Sequence, residues 1–343
     1  MSTARSEPGR LRILSAFAAV YIIWGSTYLA IRLAIETLPP FLMASIRFVV
    51  AGGVLYLWAR VRGARAPSLG QWRSATIVGG LLLLCGNGGV VWAEQYVPSG
   101  IAALLVATVS LWIVLVDWGF GDRRRPTPLL WLGLAVGLGG VGLLVAHDDF
   151  GYGDAGGLVA AGVVVVAALA WASGSIYSRT AALPESPRLA TAMEMLAGGV
   201  LLGVVGAATG ELRVFDLSAL SLRSLLALAY LIVFGALIAY PAYVWLLRVQ
   251  PAARVATYSY VNPAVALFLG WALADEPLAP RTALAATVIV FSVGLITRET
   301  GVRRAPVRVA VRLDSAGEAP GLAETRVGTG SPAAALPTTS ADS

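Results

Sequence analysis

Lysine is absent from this chain of 343 residues, and cysteine and histidine occur once each. Charged residues make up only 13% of the chain, about half the ~25% usual in soluble proteins. A soluble fold of this length could bury a core, but it would not expose so little charge. Cys85 lies inside an apolar run, which excludes a disulfide framework and a thiolate metal site. His147 lies in an acidic loop, which leaves no imidazole for chemistry inside a membrane. No metal or cofactor is implied. No GxxxxGK[ST] loop and no soluble domain is found, so ATP is not the energy source within this chain. The formal charge of +6 comes from arginine alone. Membrane orientation explains that excess better than nucleic acid does, and no nucleic-acid partner is expected.

What is there is apolar: 57% of the residues. A membrane-spanning helix needs roughly 20 mostly apolar residues. Ten runs qualify, at about 13–34, 41–59, 74–93, 99–119, 129–146, 157–178, 190–209, 225–247, 252–274 and 283–297. The first is longer than a signal-peptide core and has no small-residue cleavage site after it. From about Glu299 the composition turns to Ala, Pro, Ser, Thr and Gly, which predicts a disordered tail.

The chain is written twice. An offset of 153 brings Trp92 onto Trp245, Trp118 onto Trp271 and Asp122 onto Asp275. The string AGGVL at 51–55 recurs at 197–201, and Trp24 with Ser26 recurs as Trp171 with Ser173. A duplicated array of spans is a common build of secondary transporters, with the site between the repeats. Arginines crowd alternate connections: Arg5, Arg10 and Arg12; Arg60, Arg62, Arg65 and Arg73; Arg123 to Arg125; Arg179 and Arg188; Arg248 and Arg254; and Arg298, Arg303, Arg304, Arg308 and Arg312 after the last run. The other connections hold few and carry Glu36, Asp148, Asp149 and Asp154. The positive-inside rule then puts both termini in the cytoplasm. Five spans per half is an odd number, so the halves are inverted. The expectation is an all-α integral membrane protein with ten transmembrane helices in two inverted five-helix repeats. Residues 1–12 form a cytoplasmic segment, 13–146 and 155–298 the repeats, and 299–343 the cytoplasmic tail.

Four strings carry a family likeness: YIIWGSTY from Tyr21, SIRF from Ser45, GNGGVVWAEQYVPSGIAALLVAT from Gly86 and YSYVNPAVALFLG from Tyr258. With them the chain resembles the EamA-type exporters of the drug/metabolite transporter superfamily over nearly all of 13–298. The resemblance implies ten helices in inverted repeats and export of small metabolites, commonly amino acids and related compounds, or of toxic organic compounds. The family often has proline in the fourth helix where this chain has Ser110, whereas the ninth keeps Pro263.

Polar residues inside the runs mark the candidate site. Arg47 sits deep in the second run, where a charge costs about 2.5–3.5 kcal/mol unless it is paired or faces a cavity. It either meets a carboxylate of substrate or protein, or ties backbone carbonyls at a helix break. Glu194 in the seventh run is the candidate for proton coupling, set against a carboxylate that reaches back to the interface. At about 1.5 Å per residue the depths of Arg47 and Glu194 differ by roughly 10 Å. Trp24, Thr27 and Tyr28 share a helix face, and Trp171 with Ser173 and Ser175 is the counterpart in the other half. An aromatic wall beside hydroxyls suits an amphiphilic ligand, but tryptophans and small residues also pack helices. Tyr258 and Asn262 lie one turn apart beside Pro263, which is expected to kink the ninth helix and free a carbonyl. Asn87 between two glycines marks a similar weak point. For both asparagines, ligand contact and an interhelical hydrogen bond are the two readings. Glu94 at the outer end of the third run reads as a gate or interface residue. Gly133, Gly137 and Gly140 offer a close-packing face to another helix, in this chain or in a second copy forming a homodimer.

These residues describe a substrate cavity in a lipid bilayer and a small-molecule exporter, proton-coupled or an uncoupled facilitator. A lipid-modifying membrane enzyme would need clustered histidines or carboxylates, which the chain lacks. A cysteine introduced at 148–154 in a Cys85→Ser background should react with an impermeant thiol reagent in intact cells. Reaction only after the cells are opened would overturn the orientation.

Overall fold

The computed structural model describes residues 10–120, 127–145, 155–276 and 278–303. His147, the 148–154 loop, Arg123 to Arg125 and the tail beyond Arg303 lie outside them. The described residues are helical throughout, with no strand among them. The principal helices are α1 (Arg10–Ala34), α2 (Pro40–Val61), α3 (Leu69–Ala93), α4 (Ser99–Phe120), α5 (Pro128–Val145), α6 (Ala155–Ser178), α7 (Pro187–Ala208), α8 (Leu222–Val249), α9 (Tyr258–Ala274) and α10 (Pro280–Arg303). Seven of them, α1 to α4 and α6 to α8, are long and apolar enough to cross a membrane. Ile22, Val54, Leu57, Val166, Val204 and Phe291 point outward while Arg47, Glu94 and Glu194 are buried. Charge inside and apolar side chains outside is the arrangement lipid demands.

The starts of α3, α7 and α8 run a few residues earlier than hydropathy suggests, because serine caps extend them. Ser68 accepts from the Gln71 amide at 3.3 Å while the Gln71 side chain accepts from the Ser68 amide at 2.9 Å, a reciprocal capping box. Ser186 caps α7 and Ser221 caps α8. At the far end, α10 continues to Arg303, past the boundary expected at Thr297.

The duplicated AGG string is where the halves meet. A side chain at Gly52 of α2 would strike the Leu196 amide at 2.9 Å, and one at Gly199 of α7 the Val49 amide at 2.9 Å. Gly198 turns instead to α3, against Leu83 at 2.7 Å. With no Cβ in the way the two backbones touch, as small residues allow in membrane bundles. The α5 glycines are occupied within the chain: Gly137 lies against Ser292 and Gly140 against Ile289, both of α10.

Four helices are interrupted, two in each half. The α3 and α8 helices each contain a nine-residue π-helical stretch, Gly80–Gly88 and Leu231–Ala239. Such stretches are rare and cluster at functional sites. A turn at Ala107 and Thr108 splits α4 despite the serine at position 110. The matching turn at Ala256 and Thr257 separates α9 from a short helix, Ala252–Val255. The break expected at Pro263 therefore falls earlier, and Pro263 itself sits inside α9. Thr108 and Thr257 each donate to the carbonyl three residues back, at 2.7 Å. The Ser110 hydroxyl donates across the halves to the Ala256 carbonyl at 3.2 Å and pairs with Ser259 at 2.6 Å.

Two further ties cross the halves at one end of the bundle. The helices α2 and α4 begin after Pro39 and Pro98, which offer no side-chain acceptor. Glu211 accepts from the Phe41 and Leu42 amides at 3.1 and 2.8 Å, and Glu276 from the Ser99 and Gly100 amides at 2.9 and 3.2 Å. Each glutamate follows a left-handed residue, Gly210 (φ 86°) or Asp275 (φ 53°), that turns the chain at a helix end. Glycine and aspartate are among the few residues that hold that conformation cheaply.

A methyl group at Gly79 of α3 would meet the Glu194 carbonyl and the Gly198 amide, both backbone. Gly79→Ala should destabilise the chain by about 1–3 kcal/mol, seen as a lower melting temperature in detergent. Gly53→Ala, with nothing within 4 Å of the new carbon, should melt no lower than the wild type, because alanine favours a helix interior over glycine by about 1 kcal/mol.

Candidate functional site

The interrupted helices surround one cavity. Its volume, about 70 Å³, holds a few waters at roughly 10–15 Å³ each; a larger solute requires the walls to part. Eight of the nine residues expected from sequence line it: Trp24, Thr27 and Tyr28 from α1; Arg47 from α2; Asn87 from α3; Trp171 from α6; and Tyr258 and Asn262 from α9.

Its aromatic wall is built by both halves. Trp24 and Trp171, equivalent in the two repeats, meet edge to face with centroids 5.5 Å apart. Tyr243 and Tyr258 close on Trp24 at 4.9 and 5.3 Å. The Trp171 indole donates to the Tyr243 hydroxyl at 2.9 Å, and that hydroxyl pairs with Ser175 at 2.6 Å. The Trp24 indole reaches the Gly235 carbonyl in the α8 π stretch at 3.4 Å. Offset and edge-to-face pairs add about 0.5–1.5 kcal/mol each beyond burial, so the wall is held rigid. Only glycine fits behind it at Gly86, where a side chain would strike the Trp171 ring at 2.9 Å.

The polar groups divide into spent and free. The Thr27 hydroxyl donates to the Trp24 carbonyl at 2.7 Å. The Asn262 amide donates to the carbonyls of Tyr258 at 3.2 Å and Tyr21 at 2.9 Å, an interhelical tie from α9 to α1. Arg47, 3% exposed, leaves Nε and Nη1 without a hydrogen-bond partner, and Asn87 leaves Oδ1 without one. A side chain at Gly235 would come within 2.8 Å of Arg47 Nη2, so the π stretch of α8 makes room for the guanidinium.

Glu194 stands just behind the wall. It is fully buried, and Tyr240, which lines the cavity, donates to its Oε2 at 3.2 Å while Oε1 has no partner. No ion pair joins it to Arg47 among the described residues. Glu94 is also fully buried, with neither carboxylate oxygen hydrogen-bonded. Its backbone carbonyl accepts from Arg32 at 2.6 Å, and Arg47 and Glu276 lie within electrostatic reach.

Ser173 is a correction. Its hydroxyl donates to the Leu169 carbonyl of its own helix at 2.8 Å, on the exposed side, and it does not line the cavity. Two residues further on, Ser175 faces inward. Tyr240 and Tyr243 were not expected. Their spacing of three on an apolar helix was the available signal, but tyrosines there also suit a packed core.

Two stretches, residues 11–146 and 158–298, match the EamA-like transporter family. The chain belongs to the EamA-like transporter family. It is 42% identical over 289 residues to the uncharacterized inner membrane transporter YedA of Escherichia coli (strain K12), covering 84% of this chain and 91% of that one. It is 25% identical over 297 residues to a probable amino-acid metabolite efflux pump of the same organism, covering 83% and 93%. One solved crystal structure shares the fold, with a TM-score of 0.61 at 21% identity over 84% of this chain and 98% of that one. Family membership makes the duplicated helical array a transporter's, with a bilayer around it and a small molecule as its cargo.

Tyr243→Phe removes the acceptor of the Trp171 indole and the partner of Ser175. A lost hydrogen bond of this kind costs about 1–3 kcal/mol when the remaining group stays buried. The variant should melt lower, and its tryptophan emission should shift as the Trp171 ring loses its anchor. An unchanged spectrum would mean that the wall does not depend on this bond.

Proposed function

We propose that this chain exports a small metabolite with a carboxylate and an apolar or aromatic body across the cytoplasmic membrane by alternating access. One observation carries the proposal: a buried arginine with two unpartnered nitrogens facing an aromatic cavity between two repeats. A guanidinium presents paired donors that match a carboxylate. The free Asn87 Oδ1 can accept from a second group of the same solute, such as an amine. Glu94 lies within electrostatic reach of the Arg47 charge but makes no hydrogen bond to it; a buried charge left without hydrogen bonds is expensive, and a bound anion relieves that cost. The printed name of the efflux-pump relative points to the same class of cargo.

In this reading all ten helices span the membrane as two inverted repeats, 13–146 and 155–298. The membrane is the inner (plasma) membrane, both termini are cytoplasmic, and the Glu211 and Glu276 ties close the outer end. Those ties part when the site opens outward, and the glycine crossing of α2, α3 and α7 is the surface on which the halves rock. Glu194 couples transport to protons through Tyr240, whose hydroxyl belongs to both the cavity wall and the carboxylate.

Reconstituted vesicles test the assignment. Arg47→Ala should insert normally and lose most uptake of an amino-acid substrate panel, whereas wild-type rates at equal abundance would remove Arg47 from the site. Glu194→Gln should bind and exchange substrate but lose accumulation driven by a pH gradient. Undiminished accumulation would return Glu194 to a structural role, a loss confined to Glu94→Gln would move the coupling there, and a wild type indifferent to pH would make the protein a facilitator.

A further inference from the structure

Away from the cavity, at the end of the bundle opposite the glutamate ties, the halves are separated by a groove. Its larger part, about 550 Å³, lies between α1, α7 and the later half of α8, and a further 280 Å³ continues past the end of α2. Arg188 of the second half lines both parts, Arg12 of the first half lines the larger and Arg62 of the first half the smaller. No aspartate or glutamate is among the described residues that line it.

Two of these guanidiniums are already positioned. Arg12 lies 4.7 Å from the centre of the Trp245 ring and Arg188 lies 4.5 Å from that of Trp58. Stacking on an aromatic face holds a guanidinium in place while its edge N–H groups stay free to donate. Ser186, the cap of α7, also lines the groove, so the positive end of a 22-residue helix adds to the field. The floor is apolar, with Ala16, Ile238 and Pro241. Ile238 is 43% exposed and lies within the π stretch that also presents Val233 and Phe234 outward. The basic mouth thus runs without a break into the apolar flank.

Arginines at this end also serve orientation, and that role needs only their charge on one side of the membrane. It does not require them to converge on one groove, to stack on tryptophans, or to sit above an apolar channel. We propose that this groove binds an anionic phospholipid, with the phosphate between Arg12 and Arg188 and an acyl chain along α8. A lipid fits better than a free anion because the floor below the arginines is apolar and opens sideways. Since Arg12 and Arg188 belong to different halves, the phosphate joins them at the end that lacks the glutamate ties. The inference rests on the membrane reading above and not on the identity of the cargo, so a chain that transports yet ignores anionic lipid would sink this inference alone.

Native mass spectrometry and thermal unfolding of the full chain in detergent test it, with added phosphatidylglycerol, phosphatidylcholine or inorganic phosphate. Phosphatidylglycerol should be retained and should raise the melting temperature, while the other two leave it unchanged. Arg12→Ala with Arg188→Ala should weaken retention roughly thirtyfold, the loss expected for two arginines near an anionic surface. Arg12→Lys with Arg188→Lys keeps the charge but loses the flat fork that stacks on tryptophan, and should retain less than the wild type and more than the alanine pair. Both positions are exposed, so these variants should fold. Arg65→Ala with Arg73→Ala removes equal charge from the same end but outside the groove, and should bind as the wild type does. Equal weakening in that control, equal retention of phosphatidylcholine, or an equal shift from inorganic phosphate would each overturn the proposal.

Discussion

A backbone amide or carbonyl without a partner inside lipid costs several kcal/mol, and this chain interrupts four helices around one cavity. Each interruption is tolerable because something answers for it. The threonines at the two turns donate back to their own helices. Ser110 of one half takes the Ala256 carbonyl at the break of the other. The π stretches keep the ladder running with a wider ring, and the widening brings Gly86 against Trp171 and Gly235 against Arg47. Hydrogen-bond satisfaction therefore decides where the helices can open, and the cavity lies where they do. Idealised straight helices would satisfy the backbone equally well but would leave no room for the guanidinium.

The fold was legible because lipid makes the signal strong. Runs of some twenty apolar residues, a duplicated pattern and arginine-rich connections survive any uncertainty about detail, and most helices begin and end within a few residues of the apolar runs. Buried polar positions were legible where a polar residue interrupts an apolar run: Arg47 and Asn87 line the cavity and Glu194 is buried behind it. The site was less legible where the inference depended on rotation about a helix axis. Ser173 and Ser175 lie two residues apart, so one faces out when the other faces in, and nothing in composition chooses between them. Tyr240 and Tyr243 are invisible for a related reason: in an apolar run a tyrosine signals packing until its hydroxyl is seen to reach Glu194 or Trp171. The glutamate ties could not be read at all, since they join residues about 170 positions apart and each depends on a left-handed turn.

The two ends of the bundle use different chemistry to hold the halves together. At one end carboxylates grip helix N-termini, joined by the Arg223–Glu36 pair at 3.5 Å and the Ser221 amide on Thr37 at 3.2 Å. At the other the contacts are guanidiniums on aromatic faces. Charge-assisted hydrogen bonds are directional and break over a short distance, whereas a cation over a ring tolerates sliding. A pair of halves joined in this way has one stiff end and one compliant end, so the rocking proposed above would act unequally on the two.

The glutamate at position 276 also has a counterpart. Under the 153-residue offset that superposes Asp122 on Asp275, it falls on Arg123. In the inverted arrangement proposed above, the two members of such a pair would belong to opposite sides of the membrane. One half uses an acid there to cap a helix of its neighbour; the other carries a base, which counts toward the arginine bias read from the sequence. A single sequence serving both halves could not set an acid and a base at the same position, so under that reading position 276 is one at which the two copies had to differ.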